Sequence, residues 1–206
     1  VVEADRFARA GSYDGWAPML LMGQDVYGAT LGIVGAGRIG HAVALRGARG
    51  FDMEILYTDM VKNAELEEQT GARKVELFEL MARSDFVSIH VPLLDETHHL
   101  IDYEKISLMK PTAVLINTSR GPVVDEAALA RALKEGVIFA AGLDVFEEEP
   151  EIHPDLVGQD NVTLLPHIAS ASVQTRTRMA TMAAENLIAI IEGTKPHSIV
   201  NPEVLT

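Results

Sequence analysis

The stretch "TLGIVGAGRIG", residues 30–40, constrains this chain more than any other. A short apolar, β-branched run ends directly in glycines spaced GxGxxG, and an amphipathic segment from Ile39 to Arg49 follows it. The spacing alone is weak, because glycines gather in turns of many kinds. In this context it predicts a strand, a tight turn and a helix: Gly35 makes the turn, Gly37 lets the backbone approach a pyrophosphate, and Gly40 permits close helix-to-strand packing. The helix N-terminus behind the turn presents free N–H groups and positive dipole charge to an anion. At the end of the next strand-like run, "MEILYTD", stands Asp59, where a ribose-binding carboxylate is expected. A carboxylate there accepts hydrogen bonds from the ribose hydroxyls of NAD and repels the 2′-phosphate of NADP, with only Lys62 nearby to offset it. NAD is the expected cofactor.

Beyond this turn the pattern alternates. Strand-like runs fall at Ile33 to Val34, Glu54 to Tyr57, Phe86 to His90, Ala113 to Asn117, Ile138 to Leu143 and Val162 to Leu165. Helical stretches fall at Ile39 to Arg49, Val75 to Ala82, Tyr103 to Leu108, Glu126 to Glu135 and Ser172 to Glu192, with another at the opening "VVEADRFARAG". Near-continuous apolar strands alternating with amphipathic helices predict an α/β class, a Rossmann-type doubly wound parallel sheet with helices on both faces.

Composition narrows the partners. Thirty acidic against 17 basic side chains give a formal charge of −13, so a phosphate backbone or an anionic membrane surface is repelled on average. Nucleic acid and membrane are not expected partners, and no apolar run reaches the roughly 18 residues needed to span a bilayer. The absence of cysteine excludes disulfides and thiolate sites and fits a cytoplasmic setting, as does the lack of a signal-like start. The chain opens without Met on what reads as the middle of something.

In an open parallel sheet, residues just after each strand face the ligand cleft. "AVLINTSRG" puts Arg120 there, "IFAAGLDVFEEEP" puts Asp144 and three glutamates there, and "NVTLLPHIAS" puts His167 there. Singly, each has an ordinary alternative: a surface ion-pair partner, a solvated acidic loop, a structural histidine. Together they place a cation, a carboxylate and an imidazole on one edge of a dinucleotide-binding sheet, as hydride transfer to a 2-keto acid requires.

Through "GIVGAGRIG", "SDFVSIHVPLLDETHHLI", "LMKPTAVLINTSRGPVVDEAALARAL", "GLDVFEEEP" and "LLPHIASAS" the chain resembles the D-isomer-specific 2-hydroxyacid dehydrogenases over essentially its whole length. The stretch "GWAPMLLMGQDVYGATLGIVG" is most similar to the glyoxylate and hydroxypyruvate reductase branch. The resemblance implies a catalytic set of Arg120, Glu149 and His167. Arg120 would bind the substrate carboxylate and polarise the keto oxygen, His167 would exchange a proton with that oxygen, and Glu149 would fix the tautomer of His167 and favour its imidazolium. Asp144 would orient the nicotinamide. The implied cofactor contacts are Gly35, Gly37, Arg38, Ile39, Gly40, Asp59, Val91, Pro92, Thr97, Thr118, Ser119, Asp144, His167 and Ala169. Glu149, where the formate dehydrogenases of the same superfamily carry Gln, argues for keto-acid chemistry. No metal is expected; the His98–His99 pair reads as surface, and Glu147 and Glu148 as a solvated spacer.

The resemblance also implies an organisation. Residues 1–28 would be a connecting helix and dimer arm, 29–170 the NAD-binding domain, and 171–206 a helix and tail returning to a substrate domain whose first segment would precede Val1. On that expectation this polypeptide binds NAD, pairs as a homodimer and turns over small 2-keto or 2-hydroxy acids weakly or not at all by itself. C-terminal-binding corepressors, which use NAD occupancy to govern protein association, look like the same family and retain the Arg, Glu and His; the compact ending favours the metabolic enzyme. A non-catalytic dinucleotide-binding module is the third reading.

Overall fold

Seven parallel strands make one sheet in the computed structural model, which describes residues 1–205. They are β1 (Thr30–Val34), β2 (Glu54–Thr58), β3 (Arg73–Lys74), β4 (Phe86–Ile89), β5 (Val114–Asn117), β6 (Ala140–Leu143) and β7 (Val162–Leu164). Their order across the sheet is β3-β2-β1-β4-β5-β6-β7, with every neighbouring pair parallel. The chain runs outward from β1 to β3, then crosses back to β4 and runs outward the other way. The crevice between the ends of β1 and β4 is therefore the topological switch point, where an open α/β sheet takes its ligand.

Each parallel step needs a crossover, and helices supply them. α1 (Val2–Arg9) precedes the sheet, and α2 (Arg38–Phe51), α3 (Ala64–Thr70), α4 (Leu77–Arg83), α5 (Tyr103–Ile106), α6 (Glu126–Lys134) and α7 (Pro154–Val157) lie between successive strands. Alternate residues of one strand serve opposite faces: Ile55 and Tyr57 join a core with Ala44 of α2 and Leu66 of α3, whereas Leu56 joins a core with Leu80 of α4, Ile106 of α5 and Leu129 of α6. Helices thus cover both faces, and the central strands are mainly apolar because neither of their faces meets water, whereas the edge strand β3 is charged and exposed.

The expected strands are present with shifted ends: β1 begins at Thr30 rather than Ile33, and β6 begins at Ala140 rather than Ile138. α3 and β3 have no counterpart in the periodicity. "AELEEQT" buries a single residue, Leu66, and so carries no apolar stripe, and its helix is set instead by Asn63, whose side chain accepts the Leu66 N–H at the N-cap. β3 is a two-residue edge strand.

The chain divides into two units, Val1–His167 and the residues from Ile168 on. The second contains α8 (Val173–Ile191), capped by the Ser172 hydroxyl accepting from the Thr175 N–H, and buries none of that helix's residues. In the first unit the segment between α1 and β1 leaves Tyr13, Trp16, Met19, Met22 and Tyr27 exposed. No helix among the described residues is long and apolar enough to cross a membrane.

Candidate active site

The phosphate turn is built by close approach. Gly35 has φ +95, its N–H donates to the Thr58 carbonyl at 2.9 Å, and an added Cβ would fall 2.8 to 2.9 Å from Val91 and His90. A Cβ on Gly40 would fall 2.0 Å from the Gly35 carbonyl oxygen, so this glycine lets α2 start against β1. Gly37 differs: its φ is −71, and nothing lies within 4 Å of where its Cβ would be. The protein's own packing does not require glycine there. The bare backbone opens a space at the N-terminus of a helix with no acidic residue in its first turn, beside exposed Arg38 and Ile39. That space fits an anionic pyrophosphate.

Asp59 is tied to the same turn. One carboxylate oxygen accepts the Ala36 N–H at 2.8 Å and the other the Val61 N–H at 3.2 Å, which leaves each a lone pair for a ribose hydroxyl. Asn63 donates to the Ala36 carbonyl at 2.8 Å while capping α3, so Ala36 is held from both sides. Lys62 pairs with Glu67 at 2.9 Å.

Across the switch point, His90 sits half-buried at the end of β4, its Nε2 2.9 Å from the Ser88 hydroxyl. Burial pushes its pKa down to about 4, so it is neutral at physiological pH and adds no charge beneath the turn. Val91 and Pro92 follow it. The Thr97 hydroxyl donates to the Pro92 carbonyl at 2.7 Å and accepts the Leu94 N–H at 2.8 Å, closing that loop on itself.

After β5 the chain wraps around buried Asn117. Its side-chain oxygen accepts from the Ser119 N–H and hydroxyl, and its amide donates to the Arg120 carbonyl at 2.9 Å. Thr118 and Arg120 are thereby presented to solvent, with one guanidinium nitrogen on the Ser119 carbonyl at 2.6 Å. Gly121 is buried against the next loop, and a Cβ on it would lie 1.9 Å from the Phe146 carbonyl carbon and oxygen. Asp144, 2% exposed, ends β6 with its N–H on the Asn117 carbonyl.

Glu149 and His167 meet: Oε2 lies 2.9 Å from Nδ1, while Oε1 accepts the Phe146 N–H at 3.1 Å. The contact with His167, aided by the Phe146 N–H and the charge of Arg120, holds the Glu149 carboxyl below its ordinary range against the opposing cost of desolvation. A carboxylate only accepts, so Nδ1 carries the proton and Nε2 is left for exchange with a ligand. His167 has φ +54, a conformation costing an L-residue on the order of 1 kcal/mol or more, and its N–H donates to the Leu165 carbonyl. An apolar cleft of about 450 Å³ lined by Phe146, Pro150, Ile152, Leu164 and Leu165 opens beside the pair.

Two expectations are corrected. Glu147 is no solvated spacer: its carboxylate accepts the Glu126 N–H at 2.7 Å, and only Glu148 is freely exposed among the two. Nor is the histidine pair simply surface: His99 Nε2 is buried, 3.3 Å from Glu147. Sequence reasoning missed Glu126, Asn63, Asn117 and the role of Gly121; a glycine after a strand-end arginine was the one local signal available. Ala169 belongs to the second unit. Among the described residues no group of three or more His, Cys, Asp or Glu side chains could hold a metal ion.

The sequence model described as "D-isomer specific 2-hydroxyacid dehydrogenase, NAD binding domain" matches residues 1–169. A glyoxylate reductase of Korarchaeum cryptofilum is 57% identical over 208 residues, covering 100% of this chain and 62% of that protein. The crystal structure of a glyoxylate reductase from Paecilomyes thermophila superposes with a TM-score of 0.86 at 37% identity, covering 98% of this chain and 61% of that one. The Aquifex aeolicus D-lactate dehydrogenase complexed with NAD and lactic acid superposes with a TM-score of 0.82 at 34% identity, covering 93% and 62%. This chain thus spans about 62% of the length of the curated relative it matches. With that match and the turn that fits a pyrophosphate, the chain belongs to the D-isomer specific 2-hydroxyacid dehydrogenase family, as its NAD-binding domain.

Proposed function

We propose that this chain is the cofactor-binding part of an NAD(H)-dependent reductase that interconverts small 2-keto acids, glyoxylate and hydroxypyruvate, with D-2-hydroxy acids. The observation that carries the reading is the Glu149–His167 contact at 2.9 Å, on the ligand edge of an NAD-binding sheet, with the Arg120 charge near enough to favour the Glu149 carboxylate. The naming of the Korarchaeum cryptofilum relative as a glyoxylate reductase supports the substrate class.

Bound NADH would supply the hydride for the keto carbon. His167, held by Glu149 with Nδ1 protonated, gives its Nε2 proton to the keto oxygen and takes it back in the reverse direction. Arg120 binds the substrate carboxylate with a planar fork that lysine cannot reproduce. Gly35, Gly37, Arg38, Ile39 and Gly40 receive the pyrophosphate end and Asp59 the ribose. Val91, Pro92, Thr97, Thr118, Ser119, Asp144 and His167 complete the cofactor contacts of this unit, Asp144 from the end of β6.

Arg120 and His167 are exposed here. A water-excluding wall strengthens such charges, and in this reading the rest of the complete protein supplies it, with residues 1–28 as connecting helix and dimer arm, 29–170 as the NAD-binding domain and 171–206 leading to the substrate domain. The exposed Trp16, Met19 and Met22 support burial of the arm in a homodimer, and the lack of cysteine supports a cytoplasmic setting. A monomeric mass at micromolar concentration would remove the dimer.

The function is tested by NADH oxidation with glyoxylate and hydroxypyruvate. The complete protein is expected to turn both over and the 206-residue chain to do so poorly. No turnover by the complete protein overturns the reading.

A further inference from the structure

We propose that Glu126, with Glu147 as its reciprocal partner, is the positioning residue that sets Glu149 against His167; the inference rests on the reading of that pair as the proton-transfer site. Glu126 opens α6, yet it is only 4% exposed, and a carboxylate taken out of water is costly unless its oxygens are hydrogen-bonded. Burial raises its pKa, and the backbone N–H groups of Glu147 and His153 pull the other way. Those two N–H groups bracket the segment 147–153, and Glu149 lies between them.

The grip is double. The Glu147 N–H donates to Glu126 Oε1 at 2.8 Å, and the Glu126 N–H donates to Glu147 Oε1 at 2.7 Å, across 21 residues of chain. The Glu147 carboxylate is in turn 3.3 Å from His99 Nε2. One residue before Glu147, the Phe146 N–H holds Glu149 Oε1 at 3.1 Å, leaving Oε2 turned to His167. One close approach adds to this: Gly121, the residue after Arg120, lies directly on the Phe146 carbonyl group. The loops that carry Arg120 and Glu149 are therefore joined by the Glu126–Glu147 exchange and by this contact, and the geometry of cation, carboxylate and imidazole is set by groups that touch no substrate.

Helix capping alone does not account for Glu126. Asp125 already caps α6, accepting the Ala128 N–H at 2.9 Å, so the Glu126 side chain is free to serve the neighbouring loop instead. A merely structural role predicts that removing it lowers stability and leaves His167 as it was. A positioning role predicts that the hydrogen bond to His167 is lost while the fold remains.

The tautomer of His167 distinguishes these. In the 15N-labelled 206-residue chain above the imidazole titration, His167, assigned by its absence in His167→Gln, is expected to show well-separated Nδ1 and Nε2 shifts with the proton on Nδ1. Glu126→Gln keeps an acceptor for the Glu147 N–H and is expected to retain that separation. Glu126→Ala, and Glu147→Ala should the first fail to fold, are expected to lose it, the two shifts converging as the tautomers mix. Wild-type separation in a folded Glu126→Ala or Glu147→Ala chain overturns the proposal. Failure of the functional reading shows elsewhere, as absent NADH oxidation by the complete protein while the tautomer still responds to Glu126.

Discussion

Gly121→Ala is expected to cost roughly 3 kcal/mol or more of stability, and to leave the chain unfolded if its margin is small. The added methyl carbon would sit 1.9 Å from the Phe146 carbonyl carbon and oxygen and 2.4 Å from the Glu147 nitrogen. All three are main-chain atoms, so no rotamer change relieves the clash; one of the two loops must move. Moving the 146–147 segment breaks the Glu126–Glu147 exchange, and moving the 119–121 segment breaks the wrap around Asn117. Urea unfolding followed by circular dichroism measures the loss. Gly37→Ala, whose new methyl meets nothing within 4 Å on an ordinary φ of −71, is the contrast and should unfold at the wild-type midpoint. Equal midpoints for Gly121→Ala and Gly37→Ala would show that the two loops do not pack as described.

In the complete protein, His167→Gln is expected to lower kcat for glyoxylate reduction by about 10² to 10⁴, the usual contribution of a positioned acid or base. Glutamine keeps a similar reach and a hydrogen-bonding end, so it can still meet Glu149, but it has no proton to give as the hydride arrives. NADH affinity should fall far less than kcat, because His167 is one of many cofactor contacts and the pyrophosphate and ribose positions lie around Gly37 and Asp59, at the end of other strands. Glu149→Gln should produce a smaller loss, since Glu149 acts through His167 and its amide can still accept from Nδ1. A kcat near wild type for His167→Gln would mean that the proton comes from elsewhere. A matched loss of NADH binding would mean that the imidazole belongs to the cofactor site alone.

Much of this fold is legible in the chain because its signals are local. The strand, turn and helix at 30–51 follow from residues within one stretch, and the apolar runs that became β4, β5 and β7 mark themselves by continuity. α3 was not legible: with Leu66 its only buried residue, nothing periodic announces it, and the cap that starts it is a single asparagine. β3 is too short to carry a pattern. At the candidate site, Arg120 and His167 could be singled out because each follows an apolar run in an order that already implied a common edge, whereas Glu149 was set apart from the neighbouring glutamates only by the resemblance to the dehydrogenase family. Glu126 and Asn63 could not, because what they hold lies 21 and 27 residues away and is reached only through the tertiary fold. The same long-range contact explains why Glu147 read as a solvated spacer: its carboxylate is taken up by a backbone N–H that no local pattern places beside it.

The NAD site is built on a turn whose middle glycine, Gly37, is kept for the ligand rather than for packing. A fluorescence titration of the 206-residue chain with NADH, run beside the Gly37→Val variant and repeated with NADPH, tests it most directly. Saturable NADH binding by the wild type is expected, with binding of NADPH weaker by about tenfold or more because Asp59 meets its 2′-phosphate, and loss of NADH binding in a Gly37→Val chain that remains folded. Wild-type NADH affinity in Gly37→Val, or no NADH binding by the wild type, would contradict it.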